Sequence, residues 1–174
     1  MQEVTSMKIL NGIGQSLLFG LLITSGLSLL AFSQEKALSA DDLARSSDVI
    51  VVGKVASMKS NWTADRSRIV TTVTLQVDQS LKGATGGSTI TLVTPGGEVD
   101  GVGELYTHSA RFTRQEDVVV FARRTPKGEF AVTAGQQGKM SIRKDPESGA
   151  LTVGGGTTLS EFTSHILKAV KAGD

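Results

Sequence analysis

The chain has 174 residues, a formal net charge of +1, 39% hydrophobic and 20% charged residues, and no cysteine. That balance fits a soluble globular body rather than a disordered tail, and it gives no strong pull toward nucleic acid or anionic lipid. The lack of cysteine excludes a lipoprotein anchor, thiolate zinc sites and cysteine nucleophiles, and leaves burial and hydrogen bonds to hold the fold.

Between Lys8 and Glu35 the sequence is uncharged, and from Ile13 to Ser33 it is apolar (IGQSLLFGLLITSGLSLLAFS). Lys8 supplies a thin positive flank. Ala31-Phe32-Ser33 satisfies the small-residue rule for cleavage, so the segment reads as an export signal cut after Ser33, with Gln34 as the mature N-terminus. The rival reading is an uncleaved membrane anchor, because roughly 20 apolar residues suffice to span. Gly14, Gly20, Gly26 and four serines dilute the run and favour the signal. Either reading places the remainder outside the cytoplasm, in the periplasm or beyond the cell, with inner-membrane anchoring in the second case. Removing 1–33 takes away Glu3 and Lys8, which cancel, and leaves about 140 residues, enough for one domain with one core.

Residues 34–47 form a helical lead-in, with Ser39 as N-cap and Asp42 three residues on. Asp48–Ala56 is apolar on both faces at its start, which suits a strand covered on both sides. Ser60–Ser67 has turn composition. From Arg68 to Ser80 the period is two: Ile69, Thr71, Val73, Leu75 and Val77 share one face of a long strand. Leu81–Gly87 reads as a glycine-rich turn and Ser88–Thr94 as a third strand, stopped by Pro95-Gly96-Gly97. Glu98–Glu116 shows no regular pattern and is expected to be an irregular excursion. Asp117–Ala122 is a buried fourth strand. Glu129–Thr133 and Lys139–Arg143 flank Ala134–Gly138, giving a fifth strand with a glycine kink, and Lys144–Gly149 turns into a small hairpin at Ala150–Val153. Thr158 and Glu161 form a capping box for a last helix with the apolar stripe Leu159, Phe162, Ile166 and Val170. The domain division is then 1–33 signal, 34–47 lead-in, 48–156 barrel and 157–174 C-terminal helix. The fold class is all-β, a five- to seven-stranded OB-like barrel with a short N-terminal helix and a C-terminal α-helix.

The segments LARSSDVIVVGKV, TTVTLQVDQSLKG, ITLVTPGG and AGQQGKMSI, in that order, resemble a family of uncharacterised exported bacterial domains. The shared plan is S-D-x-I-V-x-G-x-V, V-x-x-x-L-K-G, P-G-G and Q-G-K, over Leu43 to Ile142. The same order is similar to the N-terminal domain of tissue inhibitors of metalloproteinases, a five-stranded OB-type barrel. That likeness is topological, and it implies an OB fold and an exported protein partner, with a protease as the class suggested by fold likeness alone. The inhibitors' zinc-chelating N-terminal cysteine has no counterpart here, so their mechanism is not carried over.

No constellation rises to a catalytic motif, and no cofactor is called for. G-x-S-x-G is absent, and Gly83–Thr89 lacks the lysine of a phosphate loop and precedes a strand. His108 is the one metal candidate, with Glu98, Asp100 and Glu104 nearby in sequence; a small hydrolase or metal-dependent enzyme built on the 95–112 loop is the alternative function. A membrane-tethered structural envelope protein is the other. Aromatics at 5% and a net charge of only +1 argue against a single-stranded nucleic-acid groove. The expected function is an exported, non-catalytic binding module for a protein partner. Its contact residues are Trp62, Tyr106 and Phe112, with Gly96, Gly97, Gln137 and Lys139 shaping a recognition rim from the 95–112 excursion and the 136–139 bend. The membrane is a partner only through an uncleaved N-terminal segment.

Overall fold

The computed structural model describes residues 37–83 and 85–173; the apolar run Ile13–Ser33 and the expected cleavage point after Ser33 lie outside them. Among the described residues no helix is long and apolar enough to cross a membrane.

Ser39 opens helix α1 (Ala40–Arg45) with the expected reciprocal cap: the Asp42 amide donates to Ser39 Oγ at 3.1 Å and the Ser39 amide to Asp42 Oδ2 at 3.4 Å. The Ser39 hydroxyl and Arg45 beside it hold the Asp42 carboxyl below its ordinary range. Leu43 and Ala44 are the buried face of this single turn and a half.

Strand β1 (Val49–Trp62) pairs antiparallel with β2 (Ile69–Lys82), from Ile50↔Lys82 to Trp62↔Ile69. Strand β3 (Thr89–Pro95) follows on the far side of β2. Strand β6 (Asp117–Arg124) returns to the other edge of β1, with Val49↔Ala122 to Lys54↔Asp117 in register. Strand β7 (Phe130–Val132) pairs antiparallel with β6 and meets β3 in parallel at Leu92↔Phe130, which closes a five-stranded barrel in the order β1-β2-β3-β7-β6. Outside it lie β8 (Lys139–Lys144), β9 (Leu151–Val153) and β10 (Thr157–Thr158), stepping away from the first half of β6.

Two cores result, and β1 serves both. Val49, Val51 and Val55 point into the barrel with Val73, Leu75, Leu92, Val118 and Val120. Ile50 and Val52 point out, into a second layer with Leu43, Val119, Phe121, Phe162 and Ile166. A strand buried on both faces needs apolar residues at every position, hence the unbroken run Val49–Val52. The second layer is closed by α2 (Leu159–Gly173), capped by Thr158 and Glu161 as expected, with Phe162 edge-on to Phe121 at 6.4 Å and 87°. His165 Nε2 lies 2.7 Å from Asp41 Oδ1 and joins α2 to α1.

Four sequence expectations change. β1 runs on through Ser60-Asn61-Trp62, so the turn is only 63–68; the partner strand, not local composition, sets that boundary. Leu81 belongs to β2 rather than to a turn: a register shift between Ile50 and Val51 leaves it between the paired Ser80 and Lys82, and the bulged leucine turns into the outer layer. The 98–116 excursion begins with a small hairpin of β4 (Gly97–Val99) and β5 (Val102–Glu104) around Asp100-Gly101, whose φ angles of 50° and 78° fit a type I′ turn. The kinked fifth strand is two strands, β7 and β8, split by a 3-10 turn at Gly135–Gly138.

Ile166 is fully buried between the helix and the β1/β6 face. Ile166→Ala is expected to cost about 2–5 kcal/mol in a denaturant titration, the range for a large-to-small core change. A change near zero would mean that α2 is not docked.

Candidate binding site

The turn Pro95-Gly96-Gly97 carries the chain from β3 across the projecting end of the β1–β2 ribbon. Thr71 makes that crossing: its hydroxyl donates to Gly96 O at 2.6 Å and lies 2.9 Å from Ser60 Oγ. Gly97 sits so close above this hydroxyl pair that a Cβ would collide with both oxygens. At the same level the Gly96 amide donates to Ile69 O at 2.9 Å, and the Ile69 amide to Glu104 Oε2 at 3.0 Å, so both backbone groups of Ile69 fasten the hairpin. Glu104 Oε2 also takes the Tyr106 hydroxyl at 3.2 Å.

Beyond Tyr106 the excursion has no regular structure, yet it is tied at several points. His108 O accepts the Gln136 amide at 2.8 Å, and Gly135 leaves no room for a side chain against that carbonyl. Thr94 Oγ1 donates to Ala110 O at 3.2 Å, and Ala110 and Phe112 enter the barrel core. Val55 exchanges bonds of 2.9 Å with Gln115 and Glu116. The 95–112 excursion and the 136–139 bend therefore meet, through a backbone hydrogen bond.

Between hairpin, excursion and ribbon lies a groove of about 550 Å³, lined by Met58, Pro95, Tyr106, Arg111 and Phe112 among others. A second hollow of about 430 Å³ lies on the other side of Tyr106, toward Ala131 and Val132. Leu105 stands at the rim of both, 74% exposed, and Val102 on the hairpin is 48% exposed.

The expected contact residues distribute unevenly. Gly96, Gly97, Tyr106 and Phe112 come together in the groove; Phe112 is its floor, 8% exposed, with Lys139 Nζ 5.8 Å from the ring centre. Gln137 does not face the groove: its Oε1 accepts the Leu38 amide at 2.7 Å, fixing the lead-in to the 3-10 turn. Trp62 is half-buried on the same face of β1 as Met58 and Ser60, further out along the ribbon. Leu105, Val102, Met58 and Arg111 were not singled out by the sequence. The pair Leu105-Tyr106, two large side chains inside an otherwise polar stretch, was the signal available.

The metal reading of His108 finds no ligand set: among the described residues no three His, Cys, Asp or Glu side chains converge, and Glu104 is turned to Ile69 and Tyr106. A nucleophile-like cluster does occur behind Phe112. Lys139 Nζ donates to Glu116 Oε1 and, at 2.9 Å, to Ser141 Oγ, while Ser141 Oγ donates to the same carboxylate at 2.6 Å. A lysine donating to both neighbours is no base for the serine, so the cluster acts as a fastener between β8 and the excursion. Burial pushes the Glu116 carboxyl up, but the bonds from Lys139, Ser141 and the Thr113 amide outweigh it and hold it below its ordinary 4.5.

No protein-family model matches the chain, and no curated protein matches it in sequence.

Two outcomes are expected. Gly97→Ala should lose roughly 1–3 kcal/mol more than Gly86→Ala in denaturant titrations, through overpacking, because a Cβ at Gly86 meets nothing within 4 Å; equal losses would mean that the crossing at Gly97 is slack. Because the Glu116 carboxyl is depressed in the fold, its stabilisation is complete above pH 4.5 and fades as pH falls through the lowered value. Glu116→Gln should therefore be less stable at neutral pH and show a flatter loss of stability on acidification, and an unchanged slope would remove the fastener role.

Proposed function

We propose that the chain is an exported binding module that recognises a protein partner through the groove at the end of the barrel. The observation that carries this reading is Leu105, a large apolar side chain 74% exposed on a segment tied down on both sides. Covering such a side chain is worth about 1.5–3 kcal/mol, and a loop already held in place gives up little entropy when it is covered. The groove beside it supports the same reading, with Met58, Pro95 and Phe112 offering apolar surface and Arg111 a charged rim. Export rests on the apolar run Ile13–Ser33. A protease as the partner rests on topological likeness to the metalloproteinase inhibitors, an analogy of fold.

The test is a photo-crosslinking residue placed at position 105, and in a second sample at position 127, in the full chain made by its native cells. A discrete protein adduct from position 105, absent from 127 and lost on Tyr106→Ala, is the expected result. Identical adduct patterns from both positions, or none from either, would overturn it.

A further inference from the structure

β1 is 14 residues long, but β6 covers only its first part. The β1–β6 register ends at Lys54↔Asp117, and Val55 is then held by Gln115 and Glu116. From Ser57 to Trp62 the strand pairs with β2 alone. The direction of its backbone groups follows from the turn: Thr63 donates to Arg68 O, so Asn61, Lys59 and Ser57 face β2, and Met58, Ser60 and Trp62 turn their amides and carbonyls outward. Among the described residues the one hydrogen bond reaching that edge comes from Arg114 Nη2, an exposed guanidinium 3.3 Å from Met58 O.

An open edge of this kind is a template for a further strand. Here its two faces differ. Met58 lines the apolar groove, and Ser60 and Trp62 share its side of the ribbon. On the opposite side the register places Lys59 beside Thr72 and Asn61 beside Val70, with Arg68, the last residue of the turn, two residues before Val70. Arg114 stands at the edge itself. Glu98, on the hairpin that crosses at Gly97, lines the groove, Asp100 sits in that hairpin's turn, and Asp65 is engaged in its own turn by Thr63 and Ser67, which hold its carboxyl at about 2.

We propose that the outer edge of β1 from Ser57 to Trp62 takes up an extended segment of the protein partner as an added β-strand. That segment alternates apolar side chains, directed at Met58 and the groove, with acidic ones directed at Lys59 and Arg114. The inference rests on the binding-module reading and names the form of its ligand. Backbone pairing supplies affinity, and the alternation selects the sequence and fixes which face turns inward.

The probe is a labelled eight-residue peptide of alternating leucine and glutamate, with its leucine–lysine counterpart as control, added to the folded chain. Binding of the glutamate peptide, with slowed hydrogen exchange at the amides of Met58, Ser60 and Trp62, is the expected result. Ser60→Pro deletes an outward amide without touching the ladder to β2, and a proline is tolerated on such an edge. It should weaken binding by about tenfold or more, and clearly more than Ser60→Ala, which loses the hydroxyl and keeps the amide. Should Ser60→Pro fail to fold, the pair Lys59→Glu and Arg114→Glu replaces it, and preference should pass to the lysine peptide. Equal binding of both peptides, no binding of either, or unchanged binding by Ser60→Pro would overturn the edge proposal. So would concentration-dependent dimers of the free chain that Ser60→Pro dissolves, since the occupant would then be a second copy. A position-105 adduct that survives in the Ser60→Pro chain leaves the groove reading standing without the edge; edge binding with no such adduct does the reverse.

Discussion

Ile50–Lys54 is paired along both edges, to β2 on one side and β6 on the other, and from Ile50 to Val52 it is buried on both faces. Every other part of the molecule is arranged around that segment. Its inward side chains make the barrel interior, its outward ones make the layer under the helices, and its second edge is where the barrel closes. A polar substitution there would leave an unsatisfied group in one core or the other, with no solvent-facing side to turn to.

The same strand then leaves the barrel and becomes a platform. Past Val55 its partners are β2 alone below and the hairpin crossing above, and the excursion between β3 and β6 is pinned to what that platform offers: Thr71, Ser60 and the two backbone groups of Ile69. An OB-like barrel can carry long insertions between strands because the closed sheet does not depend on them. In this chain the insertion is fixed at its middle by the 3-10 turn and at its end by Glu116 and Lys139. It is irregular in backbone shape and well anchored in position, and these are separate properties.

Much of this was legible in the sequence. The alternation Ile69–Val77, the two-sided run after Asp48 and the capping boxes at Ser39 and Thr158 each reflect a local rule that tertiary packing did not override. The ends of β1 and β2 were misplaced because bulges and register are properties of a strand pair, and Leu81 shows this best: only its partner's spacing turns it outward. The Asp100-Gly101 hairpin was missed although its dipeptide is a strong turn signal, because three-residue strands carry no readable period. The groove was out of reach. Met58, Thr71, Pro95, Tyr106 and Phe112 come from four separate segments, and only the register of three strands brings them together. Glu116 and Lys139, likewise, are ordinary charged residues until β8 is laid beside β6.

Of the barrel's five seams, four are antiparallel ladders, and the fifth, between β3 and β7, is a single parallel pair at Leu92↔Phe130. Opening a ladder breaks many hydrogen bonds together, whereas opening this seam breaks few. Local opening of the wall, an event below the free energy of global unfolding, therefore breaks the fewest ladder bonds at this seam. The hollow beside Tyr106 lies over that parting line, between Val93–Pro95 and Ala131–Val132, and the 105–110 segment bridges it. Breathing of the barrel and widening of the hollow are then one motion, and a molecule wedged at Tyr106 would be felt as a stiffening of the whole cylinder.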